Sequence, residues 1–204
     1  MKTTIPLEFK LRQVDKLHRL KQDLEELFLL ILDAHCAYEI WWILVEKRRR
    51  KQYSNILFSF KEFFEPVIRA NSTAMLIALY KLYDERNDTL NFIRILKDAE
   101  QLKIIDRSKV KFKRKLSEVR ALWKKICILR NNVLAHRNYN MTVQEIYKLA
   151  NITPNKIKRM IDLSLRLYNS VWIKIEEHSK QLEEYTYMDT IKLLEALKNC
   201  KYKV

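Results

Sequence analysis

The chain has 204 residues, 48% of them hydrophobic, a formal net charge of +15 and no glycine. This length and composition allow one sizeable folded core, while the absence of glycine excludes glycine-rich phosphate loops and disfavours hairpin turns. We therefore expect an all-α protein: a single-domain antiparallel bundle of about five or six helices over residues 1–204, with its core at roughly 20–175 and a short C-terminal helix at about 190–200.

The positive charge predicts a polyanion or an acidic protein as partner. Residues 101–140 contain twelve Lys or Arg against two acidic residues, so this segment carries ten of the fifteen net charges. A second basic run, KRRRK, occupies residues 47–51. One basic run taken alone is more typical of a solvated helix surface.

The three cysteines, Cys36, Cys127 and Cys200, are odd in number and widely spaced. This usage is typical of reduced thiols in a cytosolic protein, and the N-terminus has no apolar segment like that of a signal peptide. We therefore expect a cytoplasmic protein. The sequence contains neither a CxxC nor an HExxH pattern, so we expect no metal site and no cofactor.

A long first helix is predicted from about residue 8 or 20 to the KRRRK run. Its apolar part, residues 27–45, is followed by basic residues, as a membrane span would be. Asp33, His35 and Glu39 lie in the middle of that part, and each central charge costs roughly 2.5–3.5 kcal/mol in a bilayer. The sequence therefore predicts a buried core helix and no membrane.

Helix start and stop signals divide the rest of the chain into shorter helices. Thr142 and Glu145 form a capping-box pattern, and Thr153 followed by Pro154 is a typical helix start, from which a helix could reach about Glu184. A turn at YTYMD is expected before the terminal helix. The other predicted N-caps are Asn71 or Ser72, Asp88 or Thr89, and Asp106.

The fifth predicted helix carries apolar residues at helical spacing up to a break at residues 136–140. On an ideal helix, Arg130 and His136 lie about 60° to either side of Val133 and roughly 9 Å apart along the axis. They would flank one point on the apolar face, where a cation and a titratable ring could share a shallow cleft. Geometry alone also fits an Arg that extends to solvent and a His that complements the helix dipole.

The stretch ILRNNVLAHRN resembles the motif of the HEPN superfamily, in which an Arg precedes a His by four to six intervening residues. Together with the upstream IALYKLYDERNDTLNFIRIL, it looks like the AbiU-type branch, which is associated with bacterial phage defence by abortive infection. The resemblance spans roughly residues 20–175. The chain departs from the branch at Arg137 and Asn138, where an acidic residue is common.

The resemblance implies a metal-independent endoribonuclease, usually a homodimer, that cleaves RNA by attack of the 2′-hydroxyl. An imidazole can move protons near neutral pH, and a guanidinium can bind phosphate oxygens in pairs. Basic neighbours would attract the RNA backbone. The resemblance gives Arg130 and His136 as catalytic. From the chemistry of their side chains, we expect Asn131 and Asn132 to position the substrate, and Lys124, Lys125 and Arg137 to bind the RNA backbone.

Many HEPN nucleases are toxins held by a nucleotidyltransferase-fold antitoxin, in some cases through nucleotide attachment to a tyrosine two positions after the motif His. The candidate here is Tyr139, three positions after His136. The resemblance therefore implies a toxin–antitoxin or abortive-infection role, with such an antitoxin or another defence-system protein as partner.

Two other interpretations remain open from the sequence. The first is a catalytically inactive HEPN-like module that binds RNA or an acidic protein through the basic segment 101–140. The second is a helical scaffold in which Arg130 and His136 only contribute to packing.

Overall fold

A computed structural model describes residues 7–86, 88–135 and 141–200. The regular structure of these residues is helical throughout, without strands, which confirms the predicted all-α class. The elements are α1 (Leu7–Val45), α2 (Lys47–Gln52), α3 (Ser54–Ser59), α4 (Lys61–Leu82), α5 (Phe92–Gln101), α6 (Val110–Leu129), a π-helix (Arg130–Ala135), α7 (Val143–Ala150), α8 (Pro154–Glu176) and α9 (Tyr185–Asn199).

These described elements outnumber the predicted five or six helices because short turns interrupt the chain after α1. At Glu46 the backbone becomes extended, and the Glu46 carboxylate accepts hydrogen bonds from the amides of Arg48 and Arg49, both at 2.9 Å. This N-cap starts α2 as a separate helix. Tyr53 and Phe60 then separate α2 from α3 and α3 from α4.

Several predicted helix ends lie elsewhere in the structure. α4 continues through Asn71, whose side chain donates to the Val67 carbonyl at 2.9 Å instead of capping a new helix. Asn91 caps α5, and its side chain accepts from the Arg94 amide at 3.0 Å. The predicted caps at Ser72, Asp88 and Thr89 are therefore wrong.

Of the remaining predicted boundaries, three are wrong and two are confirmed. α6 begins after Lys109, not at Asp106, whose carboxylate accepts from the Ser108 amide at 2.9 Å. α8 ends at Glu176, not near Glu184, and YTYMD is the first turn of α9 and not a separate turn. The capping box of Thr142 and Glu145 and the start at Thr153–Pro154 are confirmed.

α1 is the central helix of the bundle and contacts α4, α5, α8 and α9. Its stripe of Leu20, Leu24, Leu27 and Ile31 is almost completely buried, as the 3-4 spacing of these leucines requires. By length and composition alone, Gln13–Val45 could cross a membrane, and one such helix is weak evidence for a span.

The end of α4 is fixed to α8 by a buried polar contact. The Tyr83 hydroxyl lies 2.8 Å from Ser164 Oγ, and Ser164 Oγ donates to the Met160 carbonyl at 2.8 Å. Burial raises the pKa of the Tyr83 hydroxyl, so it stays neutral and acts as a hydrogen-bonding group. This contact holds the segment that follows α4 against the core.

Candidate functional site

The site begins where α6 passes directly into a π-helix at Arg130. π-helical turns form i→i+5 hydrogen bonds, are rare, and occur often at functional sites. The angles of an ideal α-helix therefore do not apply between Arg130 and Val133, and this part of the predicted geometry is wrong. His136, Arg137 and Tyr139 lie outside the described residues.

α4 supplies the surface on which Arg130 rests. The guanidinium carbon of Arg130 lies 4.8 Å from the centre of the Tyr80 ring, a cation–π contact. Tyr80 stacks in turn on Trp123 of α6, with ring centres 6.0 Å apart and ring planes inclined by 27°. Trp123 Nε1 also donates to the Tyr80 carbonyl at 3.2 Å. Two helices thus orient the guanidinium.

Only some of the donors of Arg130 have a partner among the described residues. Its Nη1 donates to Asn131 Oδ1 at 3.0 Å, and it forms no ion pair with a carboxylate in the described part of the chain. A guanidinium has five N–H donors. Because Arg130 is half-buried, the unused donors can bind an anion at the protein surface.

Asp84 and Glu85 follow the end of α4, the helix that carries Tyr80. Asp84 is buried and accepts a hydrogen bond from Arg86 Nε at 2.8 Å. Burial raises the pKa of the Cys127 thiol to about 11; the charge of Arg130 opposes this rise, while those of Asp84 and Glu85 add to it.

Asp84 and Tyr80 were not predicted as site residues. Both belong to the segment IALYKLYDE, residues 77–85, which carries part of the family resemblance. Arg130 and Tyr80 are 50 positions apart in the sequence, and the helical spacing of α4 alone does not reveal which residue of another helix Tyr80 contacts. The only signal was the pairing of this segment with the Arg motif.

The predicted RNA-binding and positioning residues differ in their exposure and in their contacts. Asn131 is exposed beside Arg130, whereas the Asn132 amide donates to the Ile128 carbonyl at 2.8 Å. Lys124 is exposed on α6. Lys125 is half-buried, and its Nζ donates to the carbonyl of Ala150, the last residue of α7, at 3.2 Å. Lys125 therefore caps a helix, a role that the sequence pattern does not predict.

Within the described ranges, no group of three or more His, Cys, Asp or Glu side chains lies close enough together to hold a metal ion. The groups that the structure places in this region are a guanidinium, amide side chains and an aromatic platform. Together these groups can bind and orient a phosphate.

The described part of the chain is thus an all-α bundle in which Arg130 begins a π-helical turn at the end of α6. The family model HEPN_AbiU2, described as AbiU2, matches residues 16–194, and the chain belongs to this family. No match was found among the curated proteins or among the solved structures. Membership indicates a ribonuclease-like or defence-related role.

Proposed function

We propose that the protein is a metal-independent endoribonuclease of the HEPN type and the toxic effector of a toxin–antitoxin or abortive-infection system against phage. The observation that carries the proposal is the Arg130 guanidinium, which is held on Tyr80 and has no carboxylate partner among the described residues. We would expect an Arg that only stabilises the fold to donate most of its hydrogen bonds to acceptors within the chain.

RNA supplies its own nucleophile. The 2′-oxygen attacks the adjacent phosphorus and the bond to the 5′-oxygen breaks, which gives a 2′,3′-cyclic phosphate and a 5′-hydroxyl. In our proposal, His136 takes the proton from the 2′-hydroxyl or returns one to the leaving oxygen. Arg130 binds the non-bridging phosphate oxygens, where negative charge increases in the transition state.

The amides next to Arg130 have distinct proposed roles. Asn131 is exposed and already accepts a hydrogen bond from Arg130, so it would hold the guanidinium in the plane needed to contact phosphate. The Asn132 side chain donates to the Ile128 carbonyl, so its role would be to shape the π-helical turn. Arg137 would add attraction for the RNA backbone.

A site with one Arg and one His per chain is sparse, and pairing two chains would double it. We therefore propose a homodimer, located in the cytoplasm, whose activity is held in check by a nucleotidyltransferase-fold antitoxin or another defence-system protein. If that control is chemical, Tyr139 is the proposed acceptor of the nucleotide. The intact mass of the protein co-expressed with its genomic neighbour would then increase by one AMP.

The proposal is tested by incubating the purified protein with a fluorescently labelled single-stranded RNA in the presence of EDTA. We expect cleavage with 2′,3′-cyclic phosphate ends, and no cleavage of the same oligonucleotide carrying 2′-O-methyl groups. Tight, salt-sensitive binding without product would contradict the nuclease and support the inactive binding module. Cleavage of the 2′-O-methyl oligonucleotide would show a different mechanism.

A further inference from the structure

Three adjoining clefts cross the face formed by α1, α5 and α6, with cavity volumes of about 850, 470 and 230 Å³. Arg120 borders both the first and the second cleft, and Arg94 and Asp98 border both the second and the third. The clefts therefore form one continuous depression, which we call the basic trough.

Positive charge dominates the basic trough. The first cleft is lined by Arg107, Lys113, Arg120 and Lys124. The second adds Arg86, Arg94 and Lys97, and the third adds Lys16 and Arg19. Against these nine cations stand three carboxylates: Glu85, Asp98 and Glu100.

Most of these cations have no ion-pair partner in the described part of the chain. Arg107 pairs with Glu100 at 3.6 Å, and Arg86 pairs with Asp84 at 2.8 Å. The other seven have no ion pair with a described carboxylate. Elsewhere on the surface, Lys21 and Lys180 each contact a glutamate. Like charges gathered in a concavity raise the local concentration of a polyanion.

The lining also indicates which part of a nucleic acid would lie in the trough. None of the described residues that line the three clefts is aromatic, so these residues offer bases no stacking surface. Contacts to phosphates position a strand without reading its sequence. A second copy of this chain is a poor occupant, because it also carries a net charge of +15.

The trough leads toward Arg130. Arg120 precedes Arg130 by ten residues on the same helical course, about 15 Å at 1.5 Å per residue. At the second cleft, Arg86 holds Asp84, and Asp84 follows the end of α4 that carries Tyr80. A strand in the trough would therefore reach the Arg130 site after a few nucleotides.

We propose that the basic trough binds the sugar-phosphate backbone of single-stranded RNA and guides the strand to Arg130. The choice of RNA rests on the proposed function. The location of the trough rests on the clefts and their unpaired cations. Base selection, where it exists, takes place at the Arg130 site and not in the trough.

The test uses a uridine 20-mer with 2′-O-methyl groups, which 2′-hydroxyl attack cannot cleave, and measures binding by fluorescence anisotropy from 50 to 300 mM salt. The trough variant combines Lys113→Gln, Arg120→Gln and Lys124→Gln. The matched control combines Lys47→Gln, Arg48→Gln and Lys51→Gln on α2. Both variants lose three exposed positive charges.

We expect the trough variant to bind at least about tenfold more weakly at 100 mM salt, and the negative slope of log affinity against log salt to become less steep by about 2, since each phosphate contact on a single strand contributes about 0.7 to its magnitude. The control should keep the wild-type slope. Equal losses in both variants would overturn the trough and show a general charge effect. Wild-type binding displaced equally well by poly-glutamate of the same charge would show an acidic-protein site instead.

Cleavage of the unmodified RNA separates this inference from the proposed function. If the wild-type protein cleaves RNA and the trough variant cleaves and binds as the control does, the proposed role of the trough is wrong and the proposed nuclease activity is supported. If the wild-type protein cleaves no RNA and only the trough variant loses binding, the proposed role of the trough is supported and the proposed nuclease activity is wrong.

Discussion

Two polar regions of the molecule use their hydrogen-bonding groups in opposite ways. Where α1 meets α9, Glu39 is buried, lies 3.3 Å from His35 Nε2, and accepts from the Tyr187 amide at 3.0 Å. The Tyr187 hydroxyl accepts a hydrogen bond from Arg49. We call this cluster the α9 anchor; each of its members has a partner inside the chain.

The Arg130 site has the reverse arrangement. Among the described residues, its cation rests on the face of Tyr80 and donates to one neighbouring amide, while Asp84 is paired with Arg86. Paired groups stabilise a fold, whereas an oriented and unsaturated donor set is suited to binding an external anion. The contrast indicates that substitutions in the anchor should change stability, and substitutions at the site should change activity.

Arg130→Ala is the substitution with the largest expected effect on function. Loss of a donor that stabilises transition-state charge reduces cleavage by about 10²–10³-fold, whereas loss of the contact with Tyr80 changes the free energy of unfolding by only about 0.5–1 kcal/mol. Initial cleavage rates and urea unfolding measure the two effects. Arg69→Ala, an exposed Arg on α4, is the matched control and should keep both values. A large loss of stability in Arg130→Ala would favour the scaffold interpretation.

Glu39→Ala tests the prediction that substitutions in the α9 anchor change stability. It leaves the Tyr187 amide without its acceptor, which should lower the free energy of unfolding by about 1–3 kcal/mol. Cleavage per folded molecule should stay unchanged. The control is Glu65→Ala at an exposed position of α4. Unchanged stability in Glu39→Ala would contradict the structural role of the anchor.

Thr142→Ala removes the capping box that starts α7, at an expected cost of about 1 kcal/mol. The Glu145 carboxylate accepts from the amide and the hydroxyl of Thr142, and these hydrogen bonds lower its pKa below the ordinary 4.5. The stability that these hydrogen bonds to the ionised Glu145 carboxylate contribute is therefore present above pH 4.5 and is lost as the pH falls through the lower folded-state pKa. The melting temperatures of wild type and Glu145→Gln should differ at pH 7, and the difference should become smaller as the pH falls below 4.5; a constant difference would contradict this assignment.

Tyr80→Leu has the smallest expected effect. It removes the aromatic face beneath Arg130 and should slow cleavage by about two- to fivefold, which corresponds to the 0.5–1 kcal/mol of an exposed cation–π contact. Tyr80→Phe keeps the ring and should cleave RNA at the wild-type rate. If both variants lose activity equally, the hydroxyl and not the ring face is the functional group.

The features that the sequence predicts well are those specified by neighbouring residues. The absence of glycine indicates the all-α class, and Thr142, Glu145 and Thr153 mark helix starts through side chains that bond within three residues. The predicted N-cap at Asn71 is wrong because the Asn71 side chain donates to the Val67 carbonyl inside a continuous helix. The residue type allows this hydrogen bond equally well.

The site was predictable only in part for the same physical reason. Arg130 could be identified from a short motif, but its contact with Tyr80 and the capping of Ala150 by Lys125 join different helices. The π-helical turn likewise departs from the regular period on which the predicted angles depended. Tertiary packing decides these features, and a single sequence contains no direct record of it.

The central claim is that His136 transfers the proton in RNA cleavage, and one comparison tests it most directly. Cleavage rates in EDTA are measured for wild type, His136→Ala and His178→Ala; His178 is an exposed histidine outside the motif. We expect His136→Ala to lose about 10²–10⁴-fold in rate, the usual contribution of general acid–base catalysis, and His178→Ala to cleave as the wild type does. A His136→Ala protein that is folded and cleaves at the wild-type rate would contradict the claim.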